Sequence, residues 1–296
     1  MAGFLLHGKV ALVTGAARGI GYETARQIHA RGGSVALVDL DTESCERAAE
    51  SIGERALGLG ADATDSEALE AAVNANLERF GGLDVCVANA GVAPPPATLR
   101  AIDPDVFERV VEIDLLGVWR TVRACLPQVS SRRGHVVVVA SVYAFMNPVL
   151  AEPYAISKAG VEQLGRALRA ELAHHGASAS VAYFGFIDTK MVGDTFEDPV
   201  AKDVEDLFPS WMSHRLPPHT AGEAIVRGIE RRSARITAPG WWRVWSALRG
   251  VLNPVTDARI ERDQRVRDVV RRADVEEAAA KRGGLAEDAQ ARRIAG

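Results

Sequence analysis

The sequence predicts a doubly wound α/β fold, with helices on both faces of a mostly parallel sheet. Short valine-rich runs without polar alternation, such as 10–13 and 135–140, are typical of strands buried on both faces. Helical patterns separate these runs six or seven times, and each is long enough to cross between parallel strands. Glycines and polar residues stand at the carboxyl ends of the strands, where ligands bind in such sheets. A chain of 296 residues, 47% of them hydrophobic, can bury the core that this fold needs.

The predicted elements alternate along the chain. Strands are predicted at 10–13, 34–39, 55–61, 83–88, 135–140, 178–184 and 235–238. Helices are predicted from the glycine-rich loop to about residue 31, and at 42–52, 66–80, 105–131, 153–175 and 220–232. Asp65 or Ser66 suits an N-cap, and Pro153 suits a first helical turn. Residues 185–217 are irregular or loosely helical in pattern.

Composition excludes several classes of function. The net charge is −4 and the pI is about 6.0, which argues against a nucleic acid held by a general basic field. Cys45, Cys86 and Cys125 are odd in number, far apart and without metal-ligand spacing. We therefore expect free buried thiols in a reducing cytoplasm, and no metal site. No signal peptide is evident and no apolar run reaches about eighteen residues, so we expect no transmembrane segment.

A glycine cluster follows the first strand and opens a helix. Gly15, Gly19 and Gly21 permit a tight turn and let the backbone approach a pyrophosphate at the helix N-terminus. A glycine-rich turn without a ligand would have the same composition. The end of the second strand gives further support for a nucleotide site. This strand ends at Asp39, whose carboxylate can accept hydrogen bonds from ribose hydroxyls and would repel a 2′-phosphate. Arg18 could pair with a phosphate, but the repulsion at Asp39 favours NAD over NADP.

A serine, a tyrosine and a lysine supply candidate proton-transfer chemistry. Ser141 ends the strand at 135–140, and Tyr154 and Lys158 lie four residues apart in the following helix. One helical turn brings a phenol and an ammonium onto the same face. The positive charge favours the phenolate, and a lowered pKa would make Tyr154 a general acid/base near neutral pH. Taken alone, this pair is more typical of an ordinary surface helix.

Together these motifs resemble the short-chain dehydrogenase/reductase family. The resemblance rests on the segments 14–21 and 89–91 with Ser141, Tyr154 and Lys158, and it covers roughly residues 7–240 as one domain. It implies a Rossmann-like sheet of seven parallel strands, a nicotinamide cofactor and a homodimer or homotetramer. The residues that it assigns to cofactor binding beyond Gly15, Arg18, Gly19, Gly21 and Asp39 are Ile20, Asp62, Ala63, Asn89, Ala90, Gly91, Tyr154, Lys158, Ile187 and Thr189.

The resemblance also implies the reaction. A hydride passes between nicotinamide and a substrate carbinol or carbonyl carbon, while Tyr154 takes or gives the proton at the substrate oxygen. Ser141 would hydrogen-bond that oxygen, and Lys158 would lower the pKa of Tyr154 and hold the nicotinamide ribose. The sequence thus predicts interconversion of an apolar secondary alcohol and its ketone. The alternative is a catalytically weak NAD-binding protein with an interaction or membrane-surface tail.

Asp114 departs from the family pattern, which usually has an asparagine at this position. A carboxylate there can still accept hydrogen bonds from a water, but its charge would weaken the effect of Lys158 on Tyr154. We consider Asp114 a catalytic residue that shifts the pH optimum, or a position at which only the backbone matters. A second departure puts Phe184-Gly185 where the family commonly has Pro-Gly. Tyr183, Phe184 and Phe186 then line an apolar pocket or form strand core.

Two segments carry the features specific to this chain. Residues 190–218 correspond to the variable substrate lid, whose apolar side chains favour a hydrophobic substrate. Residues 241–296 extend beyond the usual length, beginning with a Trp/Arg-rich stretch and continuing as a charged helical tail over 257–282. We expect the tryptophans to pack on the substrate cleft or a neighbouring subunit, in preference to lipid.

Overall fold

The computed structural model of the chain describes residues 3–275. Seven parallel strands form one sheet in the order β3-β2-β1-β4-β5-β6-β7, which confirms the predicted fold class. The strands are β1 Val10–Thr14, β2 Ser34–Asp39, β3 Ala56–Gly60, β4 Val85–Ala88, β5 His135–Val139, β6 Ser178–Phe184 and β7 Arg235–Ala238. Every predicted strand is present, with ends that differ by at most two residues.

The helices occupy both faces of this sheet. They are α1 Gly19–Ala30, α2 Thr42–Ile52, α3 Ser66–Phe80, α4 Pro104–Val111, α5 Val118–Ser131, α6 Glu152–Glu171, α7 Lys190–Thr195, α8 Pro199–Glu205, α9 Ser210–Ser213, α10 Pro218–Glu230, α11 Trp242–Arg262 and α12 at 264–275. Within the described residues, no helix has the length and apolar character that would let it cross a membrane.

The valine run of β5 shows why the strands lack alternation. Val136 and Val138 pack into a core layer with α3, α5 and α6. Val137 and Val139 point the opposite way, into a layer with α1 and α10. Because both faces are covered, every position of the strand is buried, and all but His135 are valines.

The strand order reverses between β1 and β4. β1 pairs with β2 on one side and with β4 on the other, and the connections leave a crevice above the carboxyl ends of these strands. The ends of β1, β2 and β4 carry the glycine loop, Asp39 and Asn89. The fold thus brings the predicted nucleotide-binding residues to one edge of the sheet.

The helix predicted over 105–131 contains an interruption. Asp103 caps α4 and Pro104 begins it. A π-helical turn at Glu112–Gly117 then separates α4 from α5. Such turns insert an extra residue into a helix and are frequent at functional sites. The hydrophobic pattern passes through the turn unchanged, so the sequence alone did not predict it.

The C-terminal extension begins in the protein's own core. Trp242 is fully buried, stacks on Trp241 at 3.9 Å between ring centroids and packs against Phe145 at 6.2 Å. The extension continues as α11 and, after a break at Asp263, as α12. The single tail helix predicted over 257–282 is therefore interrupted, and residues 276–282 lie outside the described part of the chain.

Candidate active site

The glycine loop adopts a conformation that larger residues would strain. Gly15 and Gly19 have φ angles of +64° and +61°. A Cβ on Gly15 would lie 2.9 Å from the Ala90 Cα, and one on Gly21 would lie 2.2 Å from the Gly15 carbonyl oxygen. No side chain caps the N-terminus of α1, so its first amides remain available to an anion.

Asn89 fixes this loop to the sheet edge. Its side-chain amide donates to the carbonyl oxygens of Thr14 and Gly15, at 3.0 and 3.1 Å. The Thr14 hydroxyl in turn accepts from the backbone amides of Asn89 and Ala90. The contacts join the ends of β1 and β4 at the point where the strand order reverses.

Asp39 lies in an open cleft beside the glycine loop. One of its carboxylate oxygens accepts from the Ala17 amide at 3.0 Å, and the other accepts from the Leu40 amide at 2.9 Å. Arg18 and Arg47 line the same cleft. The cleft therefore has two acids, Asp39 and Asp41, and two guanidinium groups that could meet a phosphate.

The remaining predicted cofactor residues lie at separate places around this edge. Asp62 accepts from the Thr64 amide and hydroxyl, both at 2.8 Å, and the hydrogen bond from that amide holds the pKa of Asp62 below its ordinary value. Ala63 packs against Gly117. Ile187 is buried and pairs with Leu216 in a short parallel bridge.

Thr189 connects the glycine loop to the substrate lid. Its methyl carbon lies 3.3 Å from the position that a Cβ on Gly19 would occupy, and its hydroxyl caps α7. Ile20 packs into the α1 side of the core. The positive-φ glycines, the free helix N-terminus and the carboxylate of Asp39 together form a cradle that suits a dinucleotide.

Ser141, Tyr154 and Lys158 meet at the end of β5. The Ser141 hydroxyl donates to the Phe184 carbonyl at 3.5 Å and accepts from the Tyr143 amide at 3.2 Å, and it lies near enough to the Tyr154 phenol to lower the pKa of that group. The Lys158 ammonium lies 5.3 Å from the centroid of the Tyr154 ring and donates to the Val139 carbonyl at 3.4 Å. The geometry thus joins a hydroxyl, a phenol and a cation, as the sequence predicted.

Asp114 completes this group. One carboxylate oxygen lies 3.1 Å from the Lys158 ammonium, and the other accepts from the Val92 amide at 2.7 Å. The π-helical turn carries Asp114 to a fully buried position. Gly91 leaves the room for this pair, because a Cβ there would lie 3.2 Å from both charged groups.

Asp114, Lys158 and Tyr154 shift one another's pKa values. Burial raises the pKa of Asp114, and the nearby ammonium offsets only part of that shift. Burial lowers the pKa of Lys158, but Asp114 and Tyr154 more than compensate, so the pKa stays above its ordinary value. Burial also raises the pKa of the Tyr154 phenol; Lys158 opposes this and Asp114 reinforces it. The net lowering of the Tyr154 pKa expected from sequence is therefore wrong: Lys158 does lower this pKa, but burial outweighs the lysine.

An apolar cavity of about 130 Å³ opens beside Ser141 and Tyr154. The lid contributes Met191, Val192, Thr195, Phe196, Ala201 and Val204 to its wall. Phe186 also lines it, whereas Tyr183 and Phe184 are buried in the core. Of the two roles that the sequence left open, Phe186 thus lines the pocket, and Tyr183 and Phe184 form strand core.

Part of the cavity wall was not predicted. It comes from the loop after β4 and from the segment between Ser141 and Tyr154, through Ala93, Pro94, Pro96, Val149, Leu150 and Ala151. Both segments follow strands that end at the site, which is the signal that could have identified them. Trp211, by contrast, lies outside the cavity and packs on Trp241 at 4.9 Å.

The fold and the site define a nucleotide-binding α/β protein with a serine–tyrosine–lysine group next to an apolar cavity. The chain belongs to the short-chain dehydrogenase family, whose model matches residues 9–200. It is thus a member of an oxidoreductase family.

Three known proteins illustrate the similarity. A cis-4-hydroxycyclohexanecarboxylate dehydrogenase of Sinomonas cyclohexanicum is 37% identical over 187 residues, which cover 62% of this chain and 75% of that protein. A (-)-trans-carveol dehydrogenase of Rhodococcus erythropolis is 29% identical over 238 residues, covering 72% and 85%. The crystal structure of a 3-ketoacyl-(acyl-carrier-protein) reductase from Brucella melitensis complexed with NADH superposes with a TM-score of 0.70 at 29% identity, covering 79% and 97%.

Proposed function

We propose that the protein is an NAD(H)-dependent oxidoreductase that interconverts a hydrophobic alicyclic secondary alcohol and its ketone. The observation that carries this proposal is the apolar cavity of about 130 Å³ with Ser141 and Tyr154 in its wall. An engineered apolar cavity of about 150 Å³ holds one benzene molecule, so this volume suits a single six-membered ring. Two of the similar proteins are named for substrates that contain such a ring.

The chain's own residues perform the proton chemistry. Ser141 donates a hydrogen bond to the substrate oxygen and holds it beside the Tyr154 phenol. Tyr154 takes the proton of the alcohol during oxidation and returns it to the carbonyl oxygen during reduction. Lys158 stabilises the phenolate, and Asp114 holds the ammonium in place. The nicotinamide, when bound, accepts or supplies the hydride.

The preference for NAD over NADP rests on Asp39. Its carboxylate stands at the end of β2, where a ribose 2′-phosphate would meet a like charge. The guanidinium groups of Arg18 and Arg47 in the same cleft act in the opposite direction. We infer that the acid dominates, since it is fixed by two backbone amides. The NADH in the similar reductase of Brucella melitensis supports a nicotinamide cofactor in general.

A substrate panel tests this function. We expect NADH formation with cyclohexanols that carry one ring substituent, and less activity with a long open-chain secondary alcohol. A 3-oxoacyl thioester with NADH or NADPH tests the reductase activity that the Brucella melitensis enzyme is named for. Tight NAD binding without turnover of any of these compounds would contradict the proposal and favour a catalytically weak NAD-binding protein.

We further propose a homodimer or homotetramer in the cytoplasm. Leu116, Trp119 and Ile156 are exposed apolar residues on the π-helical turn, α5 and α6, which supports assembly through these helices. The three cysteines are buried free thiols, as a reducing compartment would leave them. Sedimentation velocity of the full chain measures the assembly, and a monomer at micromolar concentration would contradict it.

A further inference from the structure

The C-terminal helix α12 packs behind the wall of the substrate cavity. Its buried residues Val269 and Ala273 form a hydrophobic cluster with Val200 and Val204 of the lid helix α8 and with Leu150. Of these, Leu150 and Val204 also line the cavity. The same side chains therefore contact the substrate space on one side and α12 on the other.

Polar contacts fasten α12 to two separate walls of the cavity. Asp274 accepts from the Thr98 hydroxyl at 2.7 Å and forms an ion pair with Arg100 at 2.8 Å, which holds the loop after β4. Arg272 pairs with Asp203 on α8. One helix thus connects the proline-rich loop to the lid behind the cavity wall.

Leu150, in the wall of the cavity, has a strained backbone conformation. Its φ angle of +64° lies in the left-handed region, where a leucine is strained. Such strain persists only when the surroundings hold the residue in place. The Ala97 amide donates to the Leu150 carbonyl, and Val269 and Ala273 lie in the cluster around its buried side chain. The shape of this wall therefore depends on α12.

We propose that α12 is a strap that sets the size selectivity of the substrate cavity, an inference that rests on the proposed function. By joining α8 to the loop after β4, the strap holds the lid as a fixed wall around a space for one ring. Without it, the lid is free to move outward and the cavity admits longer substrates. Val269, Ala273 and Asp274 are accordingly specificity-determining residues that do not touch the reacting atoms.

Two variants of the full chain test the strap. Asp274→Ala removes the contacts with Thr98 and Arg100, and the alanine introduced is a strong helix former that should preserve α12. Ala273→Asp places a charge inside the apolar cluster and is the stronger perturbation. The matched control is Asp268→Ala, which removes an equal charge from an exposed position of the same helix. For each variant, kcat/KM is measured with a ring alcohol and with a long open-chain secondary alcohol.

We expect the ratio of kcat/KM for the ring alcohol over the open-chain alcohol to fall about tenfold in Ala273→Asp, less in Asp274→Ala and not in the control. Most of the change should appear in KM, because the variants leave Ser141, Tyr154 and Lys158 in place. If the ratio is unchanged in both variants, or if kcat/KM falls equally for both alcohols, α12 does not set the size selectivity.

Amide hydrogen exchange separates this result from the proposed function, because it needs no substrate. We expect faster exchange in 199–205 and 149–151 in both strap variants, and exchange like the parent's in Asp268→Ala. If the parent oxidises no alcohol but the exchange changes as expected, the proposed function fails and the strap stands. Exchange that stays unchanged in Ala273→Asp would overturn the strap whatever the substrate proves to be.

Discussion

The Asp114 carboxylate lies 3.1 Å from the Lys158 ammonium, and both groups are buried beside Tyr154. The pair offsets part of the hydration that each charge loses at this depth. It also ties the π-helical turn to α6, two elements that are distant in sequence. Asp114 also acts on Tyr154: its carboxylate opposes the effect of Lys158 and raises the pKa of the phenol.

Replacing Asp114 with asparagine should shift the pH dependence of alcohol oxidation. Oxidation needs the Tyr154 phenolate, so its rate rises with pH through the pKa of Tyr154. Removing the carboxylate lowers that pKa, and we expect the rising limb of log kcat/KM against pH to move to lower pH. Asparagine can still accept from the Val92 amide, so the fold should survive the change.

The control for this experiment is Glu108→Gln, which removes one negative charge from the exposed face of α4. Its profile should coincide with that of the parent. If the Asp114→Asn profile also coincides with the parent's, the charge of Asp114 does not tune Tyr154 and only its backbone position matters.

Tyr154→Phe should abolish most of the activity without weakening cofactor binding. Positioned general acid/base groups contribute about 10²–10⁴-fold, so we expect kcat to fall by at least about a hundredfold. Cofactor affinity, followed by quenching of tryptophan fluorescence, should stay close to the parent's. Tyr143 supplies the matched control, because its ring packs 6.1 Å from that of Tyr154 and lines the same cavity. Comparable kcat losses in Tyr154→Phe and Tyr143→Phe would mean that Tyr154 has no special role.

Asp39→Asn should relax the selection against a 2′-phosphate. The asparagine oxygen can still accept from the Ala17 amide, so the loop keeps its shape while the charge is lost. Because close like charges cost several kcal/mol, we expect the ratio of kcat/KM with NAD to that with NADP to fall by about two orders of magnitude. Asp41→Asn is the control, since Asp41 lies in the same cleft but turns its carboxylate to cap α2. If the NAD/NADP ratio of kcat/KM falls equally in both variants, Asp39 does not select NAD over NADP.

The sequence predicted the central strands β1, β2, β4 and β5 because they are mostly apolar runs that both layers of helices cover. It also located the glycine loop, Ser141, Tyr154 and Lys158, since their chemistry depends on spacing within one element or at one strand end. These positions needed no knowledge of distant contacts.

What the sequence did not predict depends on contacts between distant segments. The π-helical turn leaves no mark in the hydrophobic pattern, yet it carries Asp114 into the core. The raised pKa of Tyr154 follows from burial, which spacing along a helix cannot measure. The packing of Val269 and Ala273 against Leu150 joins residues more than a hundred positions apart. Such features become visible only when the chain is folded.

His135 should make the protein acid-sensitive below about pH 6.5. The imidazole is fully buried at the start of β5, with its two nitrogens 2.7 Å from the hydroxyls of Ser178 and Ser180. Ser178 accepts from Arg232 and Ser180 donates to the Ser233 carbonyl, so a neutral ring that donates from Nε2 satisfies the network. Burial, with the nearby Arg232 and Arg169, lowers the pKa of His135 to about 3.

The sign of the effect follows from proton linkage. Between pH 3 and 6.5 the unfolded chain binds a proton at His135 that the folded protein excludes. The free energy of unfolding should therefore fall by about 1.4 kcal/mol for each pH unit below 6.5 on account of this residue alone. Urea unfolding at pH 5.0–7.5 measures the slope, and His135→Gln should reduce it by about one proton. The exposed-histidine variant His219→Gln should keep the slope of the parent. A His135→Gln slope equal to the parent's would mean that His135 takes up its proton in the folded state.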